Sequence, residues 1–251
     1  MYAMETVIIV GHRGSSRIAP ENTLPAFDLA WREGADAIEG DFHLTKDHYI
    51  VCIHDHDTRR VSGKKLVIRD STLDELRELD VGVFRGQQYQ GTFIPTIGEV
   101  FSTIPAHKMI YIEIKSDGAI VPKLFKEVNG SGLQPEQIVV ISLNHKVILE
   151  CKLRGLQSKA FWVCEFQKGR SGEITPSLET VLKTLEQVKA DGLSSNWGVI
   201  TESFAKGVMA QGYEFHVWDV DDLEMARQYM AWGARSITTN VPRYMVRNLK
   251  G

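Results

Sequence analysis

The chain has 251 residues, 43% of them hydrophobic and 24% charged, with a formal net charge of −3. Such values suit a globular protein with a sizeable core, and the acidic balance argues against a general nucleic-acid binder, which carries a basic excess. No run approaches the roughly eighteen apolar residues of a membrane span, and the opening MYAMETVIIVG lacks the basic n-region and cleavage site of a signal peptide.

In chain order, VIIVG at 7–11 reads as a buried strand and 22–34 as a helix, with Leu24, Phe27 and Trp31 at helical spacing and Gly34 as its stop. Further strands are predicted at 37–42, 50–54, 109–115, 138–143, 160–164, 192–195, 213–218 and 236–239. Helices are predicted at 121–129, 145–154, 177–189, 202–211 and 222–232. Alternating strands and helices mean βαβ units and a parallel sheet. About eight such units over this length favour closure, so the predicted fold is α/β, a (β/α)8 TIM barrel. The strands at 37–42 and 50–54 are separated only by the polar turn LTKDHY, and read as one barrel strand running into a hairpin-like extension.

Residues 56–108 break the rhythm with VSGKK, STLDELREL and GVFRGQQYQGTF. They read as a small insertion after the second barrel strand, an excursion that walls the site within a single domain spanning 1–251, since large apolar residues for a separate core are few. Cys52, Cys151 and Cys164 are odd in number and far apart, without a C-x-x-C pair. They are expected to be buried, reduced thiols of a cytoplasmic protein.

Four polar clusters fall at predicted C-terminal strand ends, where barrel enzymes keep their chemistry. In Gly11-His12-Arg13-Gly14, alternation puts His12 on the inward row with Ile8 and Val10; a plain loop is the alternative. In Glu39-Gly40-Asp41 the i, i+2 spacing points both carboxylates one way, which calls either for a cation between them or for separate basic partners. His54-Asp55 ends 50–54, as a structural or a catalytic histidine. In Glu113-Ile114-Lys115 an acid and a base face inward while Ile110, Ile112 and Ile114 face the helices; a strand ion pair and a third metal carboxylate beside a substrate-directed lysine are both open. His43, His48, His56, His107 and His145 read as surface or loop residues. Taken together, three oxygen ligands without cysteine favour one Mg²⁺ or Ca²⁺ over zinc. Arg13 and Lys115 add charge for an anionic diester, and two histidines can serve as general base and acid.

These residues, together with Pro20-Glu21-Asn22-Thr23, Thr45-Lys46-Asp47, STLDELRELDVG, Ile94-Pro95-Thr96, Ile141-Ser142 and Val217-Trp218, resemble the glycerophosphodiester phosphodiesterase family over nearly the whole chain. The resemblance implies a (β/α)8 barrel that hydrolyses glycerophosphodiesters to glycerol 3-phosphate and an alcohol, so the expected partner is a small-molecule substrate. It implies Glu39, Asp41 and Glu113 as metal ligands, His12 as proton acceptor and His54 as donor. Arg13 and Lys115 would bind phosphate, Trp218 would pack on the glycerol carbons, and Glu21 would order the loop after His12. Attack by the glycerol 2-hydroxyl through a cyclic phosphate and direct attack by water both remain open. The chain departs from the family pattern at Asp219-Val220-Asp221, where many relatives carry Thr-Val-Asn, and at Asn240, where many carry Asp. His216 shares a face with Trp218 and reads as a core histidine or an extra contact. Two other readings compete: a lysophospholipase D-like lipid phosphodiesterase, which needs an apolar entrance, and a non-catalytic binder, which has no use for two histidines.

Overall fold

Runs of β-branched residues at two-residue alternation build the centre of the molecule, and the computed structural model describes residues 7–250 of it. The stretch before Val7, on which part of the leader reading rests, lies outside the described residues. Eleven strands are present among the described residues: β1 (Ile8–His12), β2 (Ala37–Leu44), β3 (Ile50–Cys52), β4 (Met109–Ile114), β5 (Ile138–Ser142), β6 (Lys159–Cys164), β7 (Gln167–Lys168), β8 (Ile174–Thr175), β9 (Gly192–Asn196), β10 (Glu214–Trp218) and β11 (Ser236–Thr239). Eight of them run parallel in the order β1-β2-β4-β5-β6-β9-β10-β11, and β11 pairs back onto β1 to close the barrel. β3 lies antiparallel to β2 as the expected hairpin extension, and β7 with β8 forms a small hairpin that the sequence reading missed.

Alternation sorts the side chains into two layers. Val10, Ala37, Tyr111, Val139, Ile141, Phe161 and Val163 fill the barrel. Ile9 and Ile38 face outward into the helix layer, and so do Ile110, Ile112 and Ile114, as read from the sequence. Gly40 sits on that outer side, where an added Cβ would lie 3.0 Å from Cys52 Sγ and 3.3 Å from the Phe27 ring, so β2 passes close beneath its helix.

Helices follow the strands at Leu24–Arg32, Val121–Gly130, His145–Leu153, Leu178–Gln187, Glu202–Ala210 and Leu223–Trp232. One more, Pro242–Leu249, follows β11 and was not read from the sequence, although Pro242, Met245, Val246 and Leu249 fall at helical spacing and pack toward the core. The first helix begins two residues later than expected because Asn22 is left-handed, at φ 58°. The excursion after β3 gathers Val61, Ile68, Leu73, Leu76, Leu79, Val81 and Ile94 around Val51 and Ile53. Its last helix, Ile97–Phe101, buries Ile97, Val100 and Phe101 in the outer layer of the barrel itself. Cys52, Cys151 and Cys164 are buried and free. Among the described residues no helix is long and apolar enough to cross a membrane.

Candidate active site

Strand register brings the polar clusters together. β1 and β2 pair His12 with Glu39, and β2 and β4 pair Asp41 with Glu113. The β2–β3 hairpin sets Phe42 opposite Cys52, so the chain returns to the barrel mouth with His54 two residues further on. The result is a cavity of about 260 Å³ lined by His12, Arg13, Glu39, His54, Glu113, Lys115 and Trp218 among others. Every site residue expected from the sequence reaches it directly except Asp41, which sits beneath, in contact with Arg13 and Lys115.

Glu39, Asp41 and Glu113 each offer a carboxylate oxygen within 4.8 Å of the other two. Arg13 N donates to Glu39 Oε2 at 3.0 Å, while Glu39 Oε1 is buried without a hydrogen-bond partner. Burial, then the charges of Asp41 and Glu113, push the Glu39 carboxyl well above the usual range. Burial and then Asp41 raise Glu113 as well. Burial works the same way on Asp41, but Arg13 and Lys115 outweigh it and hold its carboxyl below its usual range. Crowded hard-oxygen donors, one with an orphaned atom, fit a divalent cation and leave a soft metal without a suitable ligand.

Lys115 Nζ lies 2.9 Å from Glu113 Oε1 and 3.5 Å from Asp41 Oδ1. Glu113 and Lys115 therefore form the ion pair, and that pair borders the acidic cluster. Arg13, at φ 55°, places Nε 3.1 Å from Asp41 Oδ2 and donates from Nη1 to Glu21 Oε1 at 2.9 Å.

The two histidines have different backing. His12 Nδ1 lies 2.8 Å from Asn240 Oδ1. Asn240 Nδ2 sits 2.8 Å from Asp219 Oδ2 and 3.1 Å from Asp221 Oδ2. Carboxylates only accept, so they fix the amide with its oxygen toward His12 and thereby put the proton on His12 Nδ1. Nε2, 3.9 Å from Glu39 Oε2, is left as the acceptor. Burial and then Arg13 lower the His12 pKa, which favours the neutral ring. The Asp219-Val220-Asp221 and Asn240 departures thus form one unit behind His12.

His54 is backed instead by a carboxylate, with Nδ1 2.7 Å from Asp55 Oδ1. Arg60 ties this pair to the other side of the site. It donates from Nε to Asp55 Oδ2 at 2.7 Å and from both terminal nitrogens to Glu21 at 2.8 Å. Glu21 therefore bridges Arg13 and Arg60, and Asp55 is held down to about 2, against burial, by its bonds from Arg60 and His54. Sequence reasoning missed Arg60, which lies on the four-residue helix Arg59–Ser62 and follows no periodic pattern.

Asn22 was read only as part of a motif. Its Nδ2 donates to Asp41 Oδ2 at 2.7 Å, and its Oδ1 accepts from Asp41 N at 3.0 Å. Asn22→Ala removes both bonds and leaves alanine in a left-handed conformation. The expected cost is roughly 2–4 kcal/mol of unfolding free energy by denaturant titration; a loss below about 1 kcal/mol would show that the side chain does not hold Asp41.

Two histidines differ from their sequence reading or settle it. His43, expected on the surface or in a loop, belongs to β2, with Nε2 3.1 Å from the His54 carbonyl. His216 is a core residue inside the barrel, stacked on Phe161 at 4.1 Å and bonded to Ser236 Oγ at 2.8 Å.

Residues 12–244 match the glycerophosphoryl diester phosphodiesterase family. The chain is 30% identical over 246 residues to the glycerophosphodiester phosphodiesterase of Caldanaerobacter subterraneus subsp. tengcongensis, covering 95% of this chain and 96% of that one. It is 31% identical to a putative glycerophosphodiester phosphodiesterase of Bacillus subtilis, with 96% and 98% covered. A phosphodiesterase of Oleispira antarctica, solved with its product sn-glycerol-3-phosphate, shares the fold at TM-score 0.88 and 22% identity, over 98% of both chains. The glycerophosphodiester phosphodiesterase of Thermotoga maritima superposes at TM-score 0.78 with 25% identity, over 98% of this chain and 99% of that one. A closed parallel barrel, acidic and basic groups converging at its mouth, and relatives matched from end to end give one answer: the chain is a phosphoric diester hydrolase of the glycerophosphoryl diester phosphodiesterase family.

Proposed function

We propose that the protein hydrolyses glycerophosphodiesters to glycerol 3-phosphate and an alcohol, with His12 and His54 as the acid/base pair. One observation carries this reading: three carboxylates converge within 4.8 Å at the floor of a cavity that both histidines line. Glu39, Asp41 and Glu113 would hold one Mg²⁺ or Ca²⁺, which when bound supplies charge neutralisation at the phosphate. Arg13 and Lys115 bind the phosphate oxygens and meet the charge that builds on them during transfer. Trp218 packs against the glycerol carbons.

His12 Nε2 takes the proton of the attacking hydroxyl, either the glycerol 2-hydroxyl or water, as that oxygen bonds to phosphorus. The bond from phosphorus to the leaving alkoxide breaks, and His54 gives that oxygen a proton. On the 2-hydroxyl route, water then opens the cyclic phosphate and the 2-oxygen takes back a proton, giving glycerol 3-phosphate. The neutral amide behind His12 and the carboxylate behind His54 support this division, since Asp55 offsets the positive charge of a doubly protonated ring. Residues 56–108 act as a wall of the site within one domain; the bonds of Arg60 to Glu21 and Asp55 support that role.

Incubation with glycerophosphocholine, glycerophosphoethanolamine and a lysophospholipid, each with Mg²⁺, Ca²⁺ or EDTA, tests the reading. Cation-dependent release of glycerol 3-phosphate from the first two is expected. Release of lysophosphatidate from the third alone would favour the lipid-directed reading, and no cation-dependent release from any of them would overturn both. Phosphorus NMR during turnover separates the two routes, because only attack by the 2-hydroxyl passes through a cyclic phosphate.

A further inference from the structure

The cavity that holds the catalytic groups measures about 260 Å³, room for a phosphoglycerol unit and little more. Beyond Lys115 a second, larger cavity of about 740 Å³ opens along the β2–β3 hairpin. Lys115 lines both, and His43, bonded to the His54 carbonyl, stands at their boundary. Because Lys115 borders both, a leaving alcohol on a phosphate held at Lys115 lies beside this space.

Its lining is basic. Lys46, Arg69 and Lys115 contribute cations, with His43, His48 and His56 between them, against the two acids Asp70 and Asp117. Those acids are partly engaged: Asp117 Oδ1 accepts from Ala119 N at 3.0 Å, and Asp70 lies 3.7 Å from Arg69. Lys46 is in no ion pair among the described residues, and the Arg69 side chain is 85% exposed. The groove on the opposite, Arg13 side is different. There Arg13 is bound by Glu21, Arg17 by Asp221 at 2.8 Å, and Arg85 by the carbonyls of Ser16 and Ala19. On the Lys115 side Lys46 is left without an ion pair among the described residues, and Arg69 shares its charge only with the exposed Asp70.

We infer that this second cavity receives the leaving alcohol and is built for one that carries its own phosphate, with Lys46 and Arg69 as the specificity-determining cations. The inference rests on the hydrolysis proposed above. Two matched pairs test it: glycerophosphoinositol against its monophosphate, and glycerophosphoglycerol against bis(glycerophospho)glycerol. In each pair the second member adds a phosphate to the leaving group, as a monoester in one and a diester in the other. At low ionic strength kcat/KM should favour the phosphorylated member by roughly tenfold, an advantage that shrinks with added NaCl because the cations are exposed.

In the double variant Lys46→Ala/Arg69→Ala the ratio within a pair should fall toward one. In Arg154→Ala/Lys206→Ala, which removes the same charge from outer helices, it should stay. A preference in the first pair alone would assign the site to a phosphomonoester, and in the second alone to a bridging diester. No preference in either pair, or a ratio that the Lys46/Arg69 variant leaves intact or the outer-helix control lowers equally, overturns the inference. Glycerophosphocholine serves as the reference: its hydrolysis without any such preference sinks the subsite alone, whereas no hydrolysis of any substrate sinks the underlying reading with it.

Discussion

His54→Ala is expected to lower kcat for glycerophosphocholine by about 10²–10⁴-fold, the range for losing a general acid or base, while the melting temperature changes little. The stability half follows from where His54 sits. Its side chain is 32% exposed and bonds to Asp55, which keeps two bonds from Arg60 when the ring is gone. No buried donor is orphaned and no core cavity is opened. The activity half follows from proton inventory. Without His54 the departing alkoxide must take its proton from water, so substrates with more acidic leaving alcohols should lose less. A loss that is uniform across leaving groups of different acidity would assign His54 to positioning, and retained turnover would remove it from the mechanism. His12→Ala should behave differently, because the attacking hydroxyl is the same whatever the leaving group.

The alternation of strands explains how much of this site could be read before any coordinates. Period-two patterning states which way a side chain points, so His12, Glu39, Asp41, Glu113 and Lys115 could all be placed on inward rows. The parallel registers that pair His12 with Glu39 and Asp41 with Glu113 then follow from closing the barrel. Patterning says nothing of contacts made by irregular chain. Asn240 meets His12 across a separation of 228 residues, and Arg60 reaches Glu21 across 39. Both rely on loop conformations that no local preference dictates. Asn22 looked like the start of a helix, yet its positive φ aims the side chain at Asp41 instead. The departures at Asp219, Asp221 and Asn240 were visible as differences, but their common purpose became legible only once a carboxylate-held amide was seen behind the His12 ring.

Glu39→Gln should make the cation-free protein more stable and the working enzyme inactive. Glutamine keeps the size of the side chain and an acceptor for Arg13 N, while removing one of three negative charges crowded within 4.8 Å. In the wild type those charges are held together at a cost, visible in the raised pKa of Glu39. The folded, cation-free protein therefore keeps a proton on Glu39 at pH values where the unfolded chain has released it. Its stability should fall as pH rises from the ordinary glutamate range to the raised one, since the folded state binds more protons throughout that window. Glu39→Gln has no such proton to lose, so its melting temperature should be higher at neutral pH and flatter across the window. Cation reverses the order. At a hundred times its dissociation constant, Mg²⁺ or Ca²⁺ adds about 2.7 kcal/mol to a protein that binds it only when folded, roughly 5–10 °C for a chain of this size. The variant should show little of that rise and little turnover. If Glu39→Gln melts lower than wild type without cation, the carboxylates are not in conflict; if its melting temperature climbs with cation as the wild type's does, Glu39 is not a ligand.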